Sequence, residues 1–267
     1  MSTVDHYGSQ YSNFASSLYA TIREKTFDTD IGQNGWQTSD EQDLFLSWLE
    51  LDSGSELLDV ACGSGGPTLR IAEESGCSVT GIDIHSDGIA AANSEAGRRG
   101  LAGRSTFIVG DGSAELPFDD ASFDGIMCID AINHLPDRPK VITEWARLLK
   151  PGGRMLFTDP IIVTGPLTNE EMTIRSSIGY FLFVPDGYDD KLLDANGLSL
   201  LHRENRTPNM ALMAERWKDS RAEFEDDLIE IEGEDNYRGQ QVFFEVCARL
   251  AREGRLSRIA YCAQKRS

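Results

Sequence analysis

Three acidic residues, each closing a short apolar run, make the first chemical pattern in the chain. Asp59 lies in Leu57-Leu58-Asp59-Val60-Ala61 and is followed at once by Cys62-Gly63-Ser64-Gly65-Gly66. Glycines at 63, 65 and 66 permit backbone angles closed to other residues and leave no side chain in the way of a bound molecule. Asp83 ends Gly81-Ile82-Asp83, where a carboxylate can accept hydrogen bonds from both hydroxyls of a ribose. Asp111, in Asp111-Gly112-Ser113, can accept from an adenine amino group, while alone it is an ordinary turn residue. A nicotinamide enzyme also uses a glycine turn with a ribose acid. Three acidic loops in sequential register point more narrowly to a nucleoside-bearing cofactor. Further on, Asp130 and His134 stand four apart, so a helical turn would set them on one face. Asp159 closes a later apolar run, and the following Pro160 argues against a metal site there.

These residues need a frame, and the middle of the chain supplies one. Short apolar runs alternate with amphipathic stretches, the pattern of a parallel sheet wrapped by helices. Strands are expected at 57–61, 78–82, 106–109, 123–129 and 154–158, with two more at 198–202 and 258–263. Helices are expected after the glycine turn to about Glu74, from Asp87 to Arg98, and from Lys140 to Leu149, where Lys150-Pro151-Gly152-Gly153 is a stop signal. Long helical segments follow around Met210–Ile231 and Tyr237–Arg252. The chain divides into a helical cover at 1–50 and a main domain at 51–267, whose substrate-side elements fall at about 160–255.

Composition narrows the partners. Hydrophobic residues at 40% and charged residues at 26% are ordinary for a globular protein of 267 residues. The net charge of -19 repels phosphate backbones, and the arginines at 98–99 and 249–258 form no continuous basic face. A nucleic-acid acceptor is therefore disfavoured. The acidity fits either an ordinary solvated face or adaptation to high salt. No apolar stretch approaches the ~20 residues of a membrane helix, and the first residues carry no leader pattern, so a cytoplasmic location is expected. The five cysteines lack paired spacing and read as buried free thiols. Oligomeric state is left open.

Leu57 to Gly66, Gly81 to Asp83, Asp111 to Phe123 and Leu148 to Asp159 together resemble class I S-adenosylmethionine-dependent methyltransferases of the small-molecule type. They are similar in layout to phosphoethanolamine, sarcosine/dimethylglycine and sugar O-methyltransferases. The run Asp111-Gly112-Ser113-Ala114-Glu115-Leu116-Pro117-Phe118 and the run Leu148-Leu149-Lys150-Pro151-Gly152-Gly153-Arg154 carry the likeness most specifically. Cys62 departs from the glycine often found at its position. The resemblance implies a doubly wound, Rossmann-like α/β fold: seven mostly parallel strands, the last antiparallel between its neighbours, helices on both faces and the N-terminal helical cover. It implies S-adenosylmethionine as donor, S-adenosylhomocysteine as product, and cofactor contacts from Trp36, Asp59, Ala61, Gly63, Gly65, Asp83, Ile84, Asp111, Gly112, Ser113 and Cys128. It makes His134 the candidate general base and Asp159 the second candidate, with no metal.

A histidine base ordinarily titrates at ~6.5, so activity would rise with pH through a value near that, displaced by whatever the pocket imposes. The acceptor is expected to be a small molecule, first an amine nitrogen. Tyr180, Phe181, Phe183 and Tyr188, with Trp217, could cage the cation by cation–π attraction, or simply be core. The alternatives are oxygen or carbon of a quinone, phenol or lipid-like acceptor. A S-adenosylmethionine-binding regulatory protein without catalysis is a rival of another class. A nicotinamide oxidoreductase is disfavoured by Asp111 and the acidic loop to Asp124.

Overall fold

The apolar runs become strands in the computed structural model, which describes residues 4–266. They are β1 (Glu56–Val60), β2 (Ser78–Asp83), β3 (Ser105–Val109), β4 (Phe123–Cys128), β5 (Leu149–Val163), β6 (Val184–Pro185), β7 (Leu198–Asn205) and β8 (Leu256–Lys265). Seven of them run side by side in the order β3-β2-β1-β4-β5-β8-β7, and the two-residue β6 pairs with the far end of β5. β1 to β5 are parallel, while β8 is antiparallel to both of its neighbours. The seven-stranded, mostly parallel sheet with an inserted antiparallel last strand is as expected.

Residues alternate between two covered faces, as the period of two in a strand requires. Leu58, Ile126, Cys128, Met155, Phe157 and Tyr261 pack with Trp145 on one side. Leu57, Met127, Leu156, Ala260 and Cys262 pack with Phe45, Trp48 and Ile71 on the other. Helix α6 (Arg138–Leu148) supplies Trp145, α3 (Ser39–Leu49) supplies Phe45 and Trp48, and α4 (Gly66–Ser75) supplies Ile71. Helix α5 (Ser86–Arg98) adds Ile89, Ala92 and Ala96 to a smaller cluster with Phe107 of β3. Both faces are thus buried. All five cysteines are free and buried.

Helices α1 (His6–Ser12) and α2 (Ser17–Thr26) precede α3, so the described residues up to Leu49 are helical with loops between. They join α9 (Thr207–Ala222), α10 (Glu225–Glu232) and α11 (Glu234–Arg252) in a second core built on Tyr19, Phe27, Trp36, Trp217, Phe243 and Phe244. The segment expected as one helix to Ile231 is two, broken at Glu223 and Phe224. Helices α7 (Asn169–Arg175) and α8 (Tyr188–Ala195), with β6, fill the stretch between β5 and β7. Helix α6 starts before Pro139 rather than after it. A proline in the first turn costs no hydrogen bond, since that N–H has no partner in the helix. Among the described residues no helix is long and apolar enough to cross a membrane.

The strand order reverses at β1 and β4, the place where such sheets leave a crevice beyond their carboxyl ends.

Candidate active site

A cavity of about 720 Å³ opens at that crevice. One wall is made by the turns after β1, β2 and β3, through Ala61, Gly63, Asp83, Ile84, Asp111, Gly112 and Ser113. The other is made by the turn after β4, α1, the loop at 32–37, and the aromatic pair on α11. Each strand delivers its last residue to the same edge because the strands are parallel and in register. Asp59 lies beside Gly81, and Asp83 beside Val109.

Asp83 is almost fully buried, 5% exposed. One carboxylate oxygen accepts from the Gly63 N–H at 2.8 Å and the other from the His85 N–H at 2.9 Å. Each oxygen keeps a further lone pair. Gly63 has φ +57, and a Cβ there would come within 2.9 Å of the Tyr11 hydroxyl. A side chain would therefore fill the cradle. Asp59 accepts from the Thr68 hydroxyl, and burial pushes its carboxyl up from 3.8 to about 7. Asp111 is exposed and accepts from the Ser113 N–H at 2.9 Å and its hydroxyl at 2.7 Å. Ile84 is 66% exposed, an apolar side chain on an open rim of the cavity.

His134 ends a single 3-10 turn (Ile132–His134) rather than an α-helix, and its ring is fixed from both sides. Its Nδ1 is 2.9 Å from the Tyr180 carbonyl, which can only accept, so that nitrogen carries the hydrogen. Nε2 is then the acceptor for the Tyr7 hydroxyl, 2.6 Å away. Burial lowers His134 from 6.5 to about 4, partly opposed by the bond to Tyr180. The pocket thus displaces the titration well below the ordinary 6.5, and the ring is neutral at ordinary pH. Burial likewise raises the Tyr7 hydroxyl, keeping it protonated. Tyr7 and Tyr11 are four apart on α1 and stack at 6.3 Å, with His85 4.9 Å from Tyr11.

Asp130 does not reach His134 by the expected helical turn. Its backbone is left-handed, φ +55, and its carboxylate is gripped by Arg258 at 2.6 and 3.1 Å. It also accepts from the Trp36 N–H at 3.0 Å and the Thr158 hydroxyl at 2.8 Å. Arg258 in turn holds Glu41 of α3 at 2.8 and 2.9 Å. The sheet, the turn after β4 and the N-terminal segment are thereby tied at one buried point. Trp36 lines the cavity and stacks on Phe243 at 6.5 Å.

Three of the expected site residues do not reach the cavity. Cys128 is fully buried against α6, because alternation puts Met127 and Ile129, not Cys128, on the cavity side. Gly65 turns its α-carbon toward Ala92 and Phe107, where a Cβ would sit 2.7 and 2.9 Å away, so it serves the packing of α4 on its neighbours. Asp159 is wholly buried and paired with Arg138, which also holds Asp189 at 3.0 Å. The aromatic run also divides. Phe181 lines the cavity, but Tyr180 is 53% exposed, Phe183 packs near Val246 and Leu250, and Tyr188 joins the sheet core. Trp217 is core against Phe27 and Phe244.

The sequence reading passed over Arg175, Asn133, Ser64 and the pair Phe243 and Phe244, all of which line the cavity. Ser64 Oγ, Asn34 Oδ1 and Gln37 Nε2 are buried there without a hydrogen-bond partner among the described residues. Such orphaned groups fit a polar ligand lying along this wall.

Residues 58–157 match the family model described as "Methyltransferase domain". Among curated relatives, the 27-O-demethylrifamycin SV methyltransferase of Amycolatopsis mediterranei is 39% identical over 124 residues, 46% of this chain and 45% of that protein. Phosphoethanolamine N-methyltransferase 1 of Zea mays is 30% identical over 208 residues, 78% of this chain and 40% of that protein. The chain thus spans less than half the length of either. A cyclopropane synthase structure from Mycobacterium tuberculosis superposes with TM-score 0.83 at 19% identity, covering 98% of this chain and 99% of that one. At that identity it shares the fold.

Proposed function

From the methyltransferase domain that residues 58–157 form, we propose that the chain transfers a methyl group from S-adenosylmethionine to a small molecule. The observation that carries the proposal is the Tyr7–His134 pair, poised in the same cavity as Asp59, Asp83 and the Gly63 cradle. Asp83 would take the ribose hydroxyls, Ile84 with Asp111 and Ser113 the adenine, and Gly63 with the orphaned Ser64 the methionine part. Asp59 is the carboxylate for its ammonium. When bound, the donor supplies an electrophilic methyl on a sulfonium.

The protein's remaining task is to hold a nucleophile and take its proton. An acceptor proton passes to the Tyr7 oxygen as the Tyr7 proton passes to His134 Nε2. The Tyr180 carbonyl keeps the ring turned for that transfer. Because His134 is a weak base here, the transfer accompanies bond formation, when the acceptor atom is most acidic. This preformed base also speaks against a regulatory protein that binds the donor and does nothing with it.

A hydroxyl oxygen is the acceptor atom the cavity favours. Two of the rings that an ammonium could use already carry a cation: the Arg175 guanidinium lies 5.3 Å from the Phe181 centroid and 4.9 Å from that of Phe243. A second reading, the amine, is favoured by the acids Asp59, Asp83 and Asp130 around the cavity. A tritiated-methyl assay on alcohols, phenols and amines, alongside total RNA, separates them. Labelled hydroxyl compounds are expected. Nicotinamide dinucleotide binding with none for S-adenosylhomocysteine would overturn the donor. Salt-sensitive labelling of RNA with an inert panel would overturn the acceptor class.

A further inference from the structure

Four arginines are fully buried: Arg138, Arg175, Arg221 and Arg258. Arg138 pairs with Asp159 and Asp189, Arg221 with Glu232, and Arg258 with Glu41 and Asp130. Arg175, at the end of α7, is the exception. Among the described residues no carboxylate lies within ion-pair distance of it. Its Nη1 donates to the Cys247 thiol at 2.9 Å, a weak acceptor. It is 1% exposed and lines the cavity. A guanidinium taken out of water without a counter-ion is costly, and natural proteins keep one only where something completes it.

The location says what that something is. The positive charge of Arg175 acts on both Tyr7 and His134. It sits over Phe181, whose ring touches His134 at 4.6 Å between centroids. Asn133, the residue before His134, is fully buried on the same cavity lining, and both its side-chain polar atoms are unpartnered. The unpaired cation therefore stands at the acceptor end, with the Tyr7–His134 base.

We infer that the acceptor carries an oxyanion, a carboxylate or phosphate ester, which docks on Arg175 and points its nucleophile at Tyr7. This rests on the methyltransferase reading above. An edge of a guanidinium is the fork that matches two oxygens of such a group. Its guanidinium carbon already lies over the Phe181 and Phe243 rings, at 5.3 and 4.9 Å from their centroids, so a ligand oxyanion would meet the N–H groups rather than these rings. A neutral or cationic acceptor of the same shape would leave the guanidinium uncompensated.

The test uses the full chain saturated with S-adenosylhomocysteine, titrated calorimetrically with benzoate, phenyl phosphate and the neutral benzamide. The wild type is expected to bind one of the two anions at least about tenfold tighter than benzamide, the scale of a charge-assisted pair. Arg175→Met should abolish that preference, and Arg175→Lys should keep part of it. The melting temperature of R175M should not fall, because removing an unpaired buried charge relieves rather than breaks the fold. No anion preference in the wild type, or a preference kept in R175M, overturns the inference. So does a tenfold loss of S-adenosylhomocysteine affinity in both variants, which would give Arg175 to the donor's carboxylate. A lowered melting temperature in R175M with normal discrimination would mark the residue as structural and also overturn it. If the wild type fails to bind S-adenosylhomocysteine at all, it is the methyltransferase reading that falls instead.

Discussion

The His134 ring is held by two bonds made by residues far from it in sequence, Tyr7 and the Tyr180 carbonyl, and the proposed base rests on them. Removing either end of the relay should slow turnover by ~10²–10⁴-fold, the usual span for a proton-transfer group. Tyr7→Phe and His134→Ala are both expected to do so while S-adenosylhomocysteine affinity, read by calorimetry, stays near normal. Since the ring is neutral down to about 4, the kcat profile should show no histidine inflection near 6.5. A clear rise through 6.5 that vanishes in His134→Ala would sink this assignment. Asp59 behaves in the opposite sense. Its folded value of about 7 stands above the ordinary 3.8, so its contribution to stability is present below 3.8 and lost as pH rises toward 7. An ammonium bound beside it favours the charged form and should expel its proton. Calorimetry of S-adenosylhomocysteine at pH 6 in two buffers of different ionisation heat should detect that proton, and Asp59→Asn should not release it. The acids Asp59, Asp83 and Asp111 were legible in the sequence because each stands at a fixed place relative to a strand end. Arg175 was not, since nothing local distinguishes a paired arginine from an unpaired one. Tyr7 and Tyr11 read from the sequence as candidate pocket hydroxyls, but nothing in their spacing decides it.

At the level of elements, one buried cluster joins pieces that the chain order keeps apart. Glu41 of α3, Asp130 after β4 and Arg258 of β8 meet out of water, and Asp130 passes the connection to the Trp36 backbone. Arg258→Ala would leave two buried carboxylates together with Arg206, 4.0 Å from Glu41, as their only near cation among the described residues. The expected cost is roughly 3–5 kcal/mol, lowering the melting temperature by on the order of 10 °C. A change under 2 °C, with unaltered circular dichroism, would show that the cluster is not needed to hold the N-terminal segment. The strands were legible because apolar alternation and turn residues mark them locally. The elements between β5 and β7 were less so. Helix α7 has only seven residues, β6 has two, and the aromatic run Tyr180 to Tyr188 is shared among the cavity, the sheet core and a satellite cluster. Cys128 shows the same limit at a finer grain. It lies in a motif that borders the site, yet a strand turns alternate residues away.

Taken as a whole, the molecule carries a net charge of -19 with its ion pairs spread over a mostly acidic surface. Self-repulsion of that size is screened by salt, whose Debye length falls from ~30 Å at 0.01 M to ~3 Å at 1 M. Raising sodium chloride from 0.05 to 0.5 M should therefore raise the melting temperature, and a fall would show that surface ion pairs outweigh repulsion. The division of labour along the chain has a consequence for descent. On the proposed reading the donor side of the cavity falls between Asp59 and Ser113, inside the stretch that matches the family model. Tyr7, Trp36, Arg175, Phe181, Phe243 and Phe244 lie outside it, on segments before β1 and after β5. A lineage can exchange or reshape those outer segments without disturbing the nucleotide cradle, so new acceptors can arise while the donor is inherited unchanged. On the proposed reading, the family match at residues 58–157 records the ancestry of the donor half, and the acceptor's history has to be sought in the remainder.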